Sequence, residues 1–207
     1  NNFVRCPAGI NATDFSNISV FDNNDFIECN AGIYCNNYVE TYVDDNTFRR
    51  NWIGVYLFSS LQTITVTHNR IYDPKAAAIY SGFNTGSDQI ISFNHIRADA
   101  LPITPNGTYG IYPASNQNNQ RTIYVEENVI ENYGFGIWCS MNDYPYLHLN
   151  TIVLPPNDGT APIPYRGILC RGGKGYSLVR NDVTGDDELD PTIAGIHIFN
   201  CDKVDEF

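Results

Sequence analysis

The chain has 207 residues, 43% of them hydrophobic, and carries 12 Lys plus Arg against 23 Asp plus Glu, for a formal net charge of −11. That balance argues against nucleic acid, whose phosphates must be met by cations, and against anionic membrane surfaces. No apolar run reaches the roughly 18 residues a membrane-spanning helix needs, so insertion into a bilayer is not expected. In chain order, the triplet Asn-x-[Phe/Ile/Val] starts at Asn1, Asn24, Asn46, Asn69, Asn94, Asn128, Asn150 and Asn181. Each copy is followed by a small residue and a β-branched one, at Gly9-Ile10, Gly32-Ile33, Gly54-Val55, Ala78-Ile79, Gly110-Ile111, Gly136-Ile137, Gly167-Ile168 and Gly195-Ile196.

A period near 22 residues that persists along the chain predicts a solenoid. Alternating stretches such as Tyr42-Val43, Ile64 to Val66, Ile123 to Val125 and Leu147 to Leu149 predict a strand before each Asn. A second strand is expected at the Gly-Ile pair. Strands repeating this tightly without hairpin turns stack in parallel, and such crossovers are right-handed. The predicted fold is all-β: a single-stranded right-handed parallel β-helix of about eight coils, one solenoid domain over residues 1–207, about 38 Å long at ~4.8 Å per coil.

The Asn column has two expected roles. Asn tolerates the left-handed backbone of a sharp corner, and stacked Asn side chains can hydrogen-bond up the column. The Gly before each Ile is expected to relieve crowding at another corner. Insertions fall between Asn94 and Gly110, Asn150 and Gly167, and Asn181 and Gly195, with a smaller one at residues 115–120. Insertions at one corner of a solenoid tend to mark a binding face. Six cysteines form no CxxC pair. In register, Cys6 falls over Cys29 and Cys139 over Cys170, which leaves two readings: small buried filler, or two disulfides between coils.

Spaced this way, Asn-x-Ile followed by Gly-Ile-x-[Cys/Leu/Ser] resembles the parallel β-helix repeats of the pectin-lyase-like superfamily, over nearly the whole chain. The Asn-, Tyr- and Asp-rich composition is similar to secreted or cell-surface repeat proteins of Bacteroidota. The superfamily includes polysaccharide lyases, polygalacturonases, alginate epimerases, phage tailspikes and surface repeat proteins. Of the polygalacturonase motifs only Asp-Asp is present, at Asp44-Asp45 and Asp186-Asp187. The pectate lyase Arg-x-Pro-x-x-Arg and the epimerase Asp-Pro-His are missing, with Asp73-Pro74-Lys75 a partial echo. The resemblance therefore implies the fold and an extracellular or cell-surface location, and assigns no catalytic residue.

If Ile of the Gly-Ile pair points inward, the next residue points outward. That places Tyr34, Tyr56, Tyr80, Tyr112 and Trp138 on one outer face over successive coils. Such rings suit the apolar faces of sugars, so these five are the candidate glycan-binding residues. The alternative is a stack that only braces neighbouring strands. The acidic stretch containing Asp186, Asp187, Glu188 and Asp190 is a candidate Ca²⁺ site, or else a solvated acidic turn. Asp22 and Asp44 occupy equivalent outward positions, as do Asp45 and Glu127. The four histidines fall at different repeat positions and read as surface or packing residues.

The chain opens inside a repeat and closes before a ninth Asn triplet, with no polar cap at either end. It is therefore expected to belong to a longer protein, whose other domains are its expected neighbours. The leading expectation is a structural or adhesive module that grips glycans. The alternatives are a polysaccharide lyase or hydrolase fragment, with Arg97, Arg166 and Arg171 as nearest candidates, and a phage tailspike segment.

Overall fold

Each repeat folds as three short strands, one more than the alternation predicts, because the triplet after the Asn is itself a strand. In the second coil these are Asp25–Ile27, Ala31–Asn36 and Thr41–Asp44. The structure, a computed structural model, describes residues 1–14, 19–36, 40–59, 62–82, 88–99, 108–114, 122–156, 165–185, 194–201 and 204–206. Corresponding strands of successive coils pair in parallel into three sheets of eight strands each. The first sheet runs from Asn2–Val4 to Asp182–Thr184, the second from Ala8–Thr13 to Ala194–Phe199, and the third from Ser19–Asp22 to Val204–Glu206. Among the described residues there is no helix.

Strict register turns the repeat into columns. Phe48 pairs with Phe26 below and Ile71 above, and Ile71 with Ile96, so the third residue of each triplet forms one inward stack. Phe26, Phe48, Ile71, Ile96 and Ile130 are fully buried. Their rings stack where they are aromatic, with centroids 4.8 Å apart between Phe26 and Phe48. The Ile33, Val55, Ile79, Ile111 and Ile137 column closes the core from the second sheet, and Val43, Val66, Ile91, Val125 and Leu147 from the third. Each such side chain contributes about 1.5–3 kcal/mol by leaving water.

The Asn ladder is continuous. Asn46 Nδ2 donates to Asn69 Oδ1 at 3.1 Å, Asn69 to Asn94 at 3.0 Å, and Asn94 to Asn128 at 3.0 Å. The same links join Asn1 to Asn24 to Asn46, and Asn128 to Asn150 to Asn181. From Asn46 to Asn181 each ladder Oδ1 also accepts the backbone N–H of the Asn one coil earlier, as Asn69 Oδ1 does from Asn46 at 3.0 Å. The ladder thus satisfies buried backbone as well as itself.

The expected left-handed backbone, however, belongs to the residue before the Asn. Asn23, Asp45, His68, Phe93, Glu127, Leu149 and Arg180 have φ between 47° and 57°. The chain turns at that residue and then points the Asn inward, where its amide is held by the carbonyl two residues back, such as Thr67 O for Asn69 at 2.8 Å. A second left-handed column, containing Arg5, Glu28, Arg50 and Asp73, turns the chain from the first sheet into the second. There Glu28 accepts from Arg5 Nε at 2.8 Å and lies 3.0 Å from Arg50 Nη2.

The recurring Gly is crowded in every coil except those of Ala78 and Gly195. A Cβ on Gly136 would lie 2.6 Å from Gly167 O and 2.6 Å from Ile152 Cγ2. The six cysteines are free thiols. Cys139 and Cys170 do pair in register, as read from the sequence, and both are fully buried. Burial pushes the Cys35 thiol up to about 12, which suits inert core filler.

Candidate functional site

The outer face of the second sheet carries the aromatic column. In Ala31–Asn36 the buried Ile33 and Cys35 alternate with half-buried Tyr34. Register places Tyr34 beside Tyr56, Tyr56 beside Tyr80, and Tyr80 beside Tyr112. Tyr34 and Tyr56 are 5.2 Å apart at 5°, and Tyr56 and Tyr80 4.9 Å apart at 8°. These rings cover one another's faces and turn edges to solvent. Burial also pushes the hydroxyls of Tyr56 and Tyr80 above their ordinary value.

The parallel stack breaks at Tyr112, whose ring meets Tyr80 at 87°. Beyond the break Tyr112 and Trp138 stack at 5.1 Å and 17°, and Tyr109 and Phe135 close in on Trp138 at 4.9 and 5.3 Å. Trp138 is followed in register by Leu169, and its indole N–H is buried without a hydrogen-bond partner. That end of the column is enclosed. At the other end the residue in register with Tyr34 is Asn11. Among the described residues Tyr56 is the one ring neighbour of Tyr34, so the Tyr34 face toward the first coil has no ring over it. An open depression of about 410 Å³ lies here, with Ala8 and Ala31 in its floor and Asn11, Asn30, Tyr34 and Tyr56 around it.

A second, polar depression of about 540 Å³ sits at the corner between the third and first sheets. The left-handed residues Asp45, His68 and Phe93 line it, with Asp44, Arg70 and His95. Asp44 Oδ1 accepts from Thr67 Oγ1 at 2.7 Å and lies 2.9 Å from His68 Nδ1. The His68 ring lies flat on Phe93, with centroids 5.3 Å apart at 4°. His95 Nε2 lies 3.1 Å from Glu131 Oε2. Three of the four histidines thus face carboxylates, the third being His148 at 3.9 Å from Glu126. This cluster escapes a search for motifs because its members come from three coils. Its signal is the position just before each ladder Asn, where Asp45, His68 and Phe93 follow one another.

The other sequence candidates are dispersed. Asp22 and Asp44 do pair in register. Arg97 is bound to Asp99 at 2.7 Å, and Arg166 donates to His197 at 3.1 Å and to Tyr165 O at 2.8 Å. Asp186, Asp187, Glu188 and Asp190 lie outside the described residues, as do residues 100–107, 115–121 and 157–164 of the inserted loops. Among the described residues no three His, Cys, Asp or Glu side chains gather around a possible metal position.

Three parallel sheets, an Asn ladder and a ring-bearing outer face define a β-helical solenoid. The family described as "Right handed beta helix region" matches residues 1–152, and the chain belongs to that family. The same register continues past that stretch through Asp182–Thr184 and Ala194–Phe199. Comparison with curated proteins and with solved structures finds no match.

Proposed function

We propose that this β-helix is a rigid module of a secreted or cell-surface protein that holds a glycan against the outer face of its second sheet. The observation that carries this reading is the aromatic column from Tyr34 to Trp138, which ends in an open depression flanked by amides. Aromatic surface with a few polar groups is the usual chemistry of a sugar cleft, and about 300–1,000 Å³ is the usual size of a small-molecule site. A rod of stacked coils holds that surface rigid, so little ordering entropy opposes binding. Affinity electrophoresis and calorimetry against soluble plant, algal and bacterial polysaccharides test it. Binding that weakens when Tyr34 or Tyr112 is replaced by Ala supports the role, and no binding to any polysaccharide removes it.

The corner depression favours a second reading, a polysaccharide hydrolase or lyase. Asp44 orients His68 through Nδ1, which leaves Nε2 to act as a proton acceptor, and Arg70 stands in the same depression. Reducing-end and unsaturated-product assays separate the two readings. Turnover that disappears in His68→Ala establishes the enzyme, and no turnover leaves the binding module.

A further inference from the structure

We propose that the glycan-binding face has one principal subsite, the gap over the first coil beside Tyr34, and that it takes a neutral pyranose. This rests on the glycan-binding reading above and adds which ring, which amides and which sugar class. A ring can stack on a sugar only through a free face. Tyr56 has rings on both sides, with Tyr34 at 5.2 Å and Tyr80 at 4.9 Å. Trp138 is crowded by Tyr109, Tyr112 and Phe135 at 4.9–5.3 Å. Only at Tyr34 does the column stop at a short side chain, because the repeat places Asn11 where the next coils place tyrosines.

The depression beside Asn11, about 410 Å³, has room for a pyranose. Its apolar C–H face would lie on Tyr34, one coil step of about 4.8 Å above the Asn11 position. Its rim would meet the Asn11 and Asn30 amides, which supply both donors and acceptors for hydroxyls. Both residues are exposed, and neither side chain has a hydrogen-bond partner among the described residues. The floor is small enough to admit the sugar: Ala8 and Ala31 lie beside the column here, where later coils carry Tyr109 and Phe135. Every residue around the depression is uncharged. An acidic sugar would find no cation there and would meet the field of a chain with net charge −11. A neutral sugar meets no such penalty.

Calorimetry of the wild-type chain with cellohexaose, xylohexaose and mannohexaose, and with hexagalacturonate as the acidic contrast, tests this. Asn11→Tyr is the decisive variant, because it extends the ring stack into the gap and should leave the melting temperature at or above the wild-type value. Binding of a neutral oligosaccharide that falls about tenfold or more in both Asn11→Tyr and Tyr34→Ala, and stays unchanged in Tyr124→Phe on the third sheet, is the expected result. Unchanged affinity in Asn11→Tyr together with loss in Trp138→Ala overturns the subsite and leaves the broader reading standing. Preference for hexagalacturonate overturns the neutral class. No binding to any of the four overturns the subsite and counts against the broader reading, which the polysaccharide panel then decides.

Discussion

Asp44 and His68 lie on neighbouring coils with Asp44 Oδ1 2.9 Å from His68 Nδ1, and the same oxygen accepts the Thr67 hydroxyl at 2.7 Å. Burial alone would push the Asp44 carboxyl up. The hydrogen bonds from Thr67 and His68, with the His68 charge beside them, outweigh it and hold the carboxyl below its ordinary value.

That direction gives a pH prediction. A carboxylate lowered in the folded state stabilises the fold above its unfolded pKa, near 3.9. The contribution disappears as pH falls through the folded value. The side chains of His68 and Asp44 are 60% and 46% exposed, so solvent screens the pair. It is worth under about 1 kcal/mol, or roughly 2–4 °C in melting temperature. Asp44→Asn should melt below the wild type at neutral pH, and the gap should close in acid. Circular dichroism melts across pH measure it, and a gap that persists at the lowest pH would show that the ionised carboxylate is not its source.

The Asn ladder predicts a larger effect. Asn69 Nδ2 donates to Val43 O at 2.9 Å, Thr67 O at 2.8 Å and Asn94 Oδ1 at 3.0 Å, and its Oδ1 accepts the Asn46 N–H at 3.0 Å. Asn69→Ala strands several of these groups in a fully buried site, at about 1–3 kcal/mol each. Urea unfolding should report a loss of at least ~3 kcal/mol. Asn1→Ala should cost much less, because Asn1 is exposed.

The spacing of the Asn triplets made the register legible, since a column is what a repeat becomes when strands stack without slipping. Phe48 over Phe26 and Tyr56 over Tyr34 follow directly. The left-handed corner falls one residue before the Asn at which residue type predicts it. The expectation rested on which residue types tolerate positive φ, and this chain also turns at Phe93, Leu149 and Arg180. Packing of successive coils overrides that local preference. The direction of the rings was also beyond reach: alternation says that Tyr56 points outward, while its face is hidden by neighbours at 4.9 and 5.2 Å. The corner cluster was hidden for a related reason, since Asp44, His68 and Phe93 meet only across coils.

The recurring Gly separates crowding from conformational freedom. A Cβ at Gly136 meets Gly167 O at 2.6 Å, a backbone atom that cannot step aside, whereas at Gly195 the nearest atom among the described residues is 3.9 Å away. Gly136→Ala should destabilise by about 1–3 kcal/mol, as overpacking does. Gly195→Ala should be near neutral. Equal effects at the two positions in a chemical denaturation series would mean that backbone entropy, not space, sets the preference. Ala78, tolerated in the fourth coil with its side chain fully buried, places the cost within what the coil spacing can partly absorb.

Leu149 tests the cost of the corner itself. Its φ of 53° lies in the left-handed region, and the residue is 40% exposed. A left-handed conformation costs an ordinary L-residue about 1–2 kcal/mol, and Asn tolerates it better. Leu149 N still donates to Val179 O at 3.1 Å, a bond the substitution keeps. Leu149→Asn should therefore raise stability by roughly 0.5–1 kcal/mol, less whatever apolar contact the leucine loses. Phe93, at φ 57°, is the control, because its ring is committed to His68 at 5.3 Å. Phe93→Asn gains the same backbone relief and gives up the stack, so its melting temperature should rise less than that of Leu149→Asn. The reverse order would show that the exposed leucine contributes more packing than its position at the corner implies.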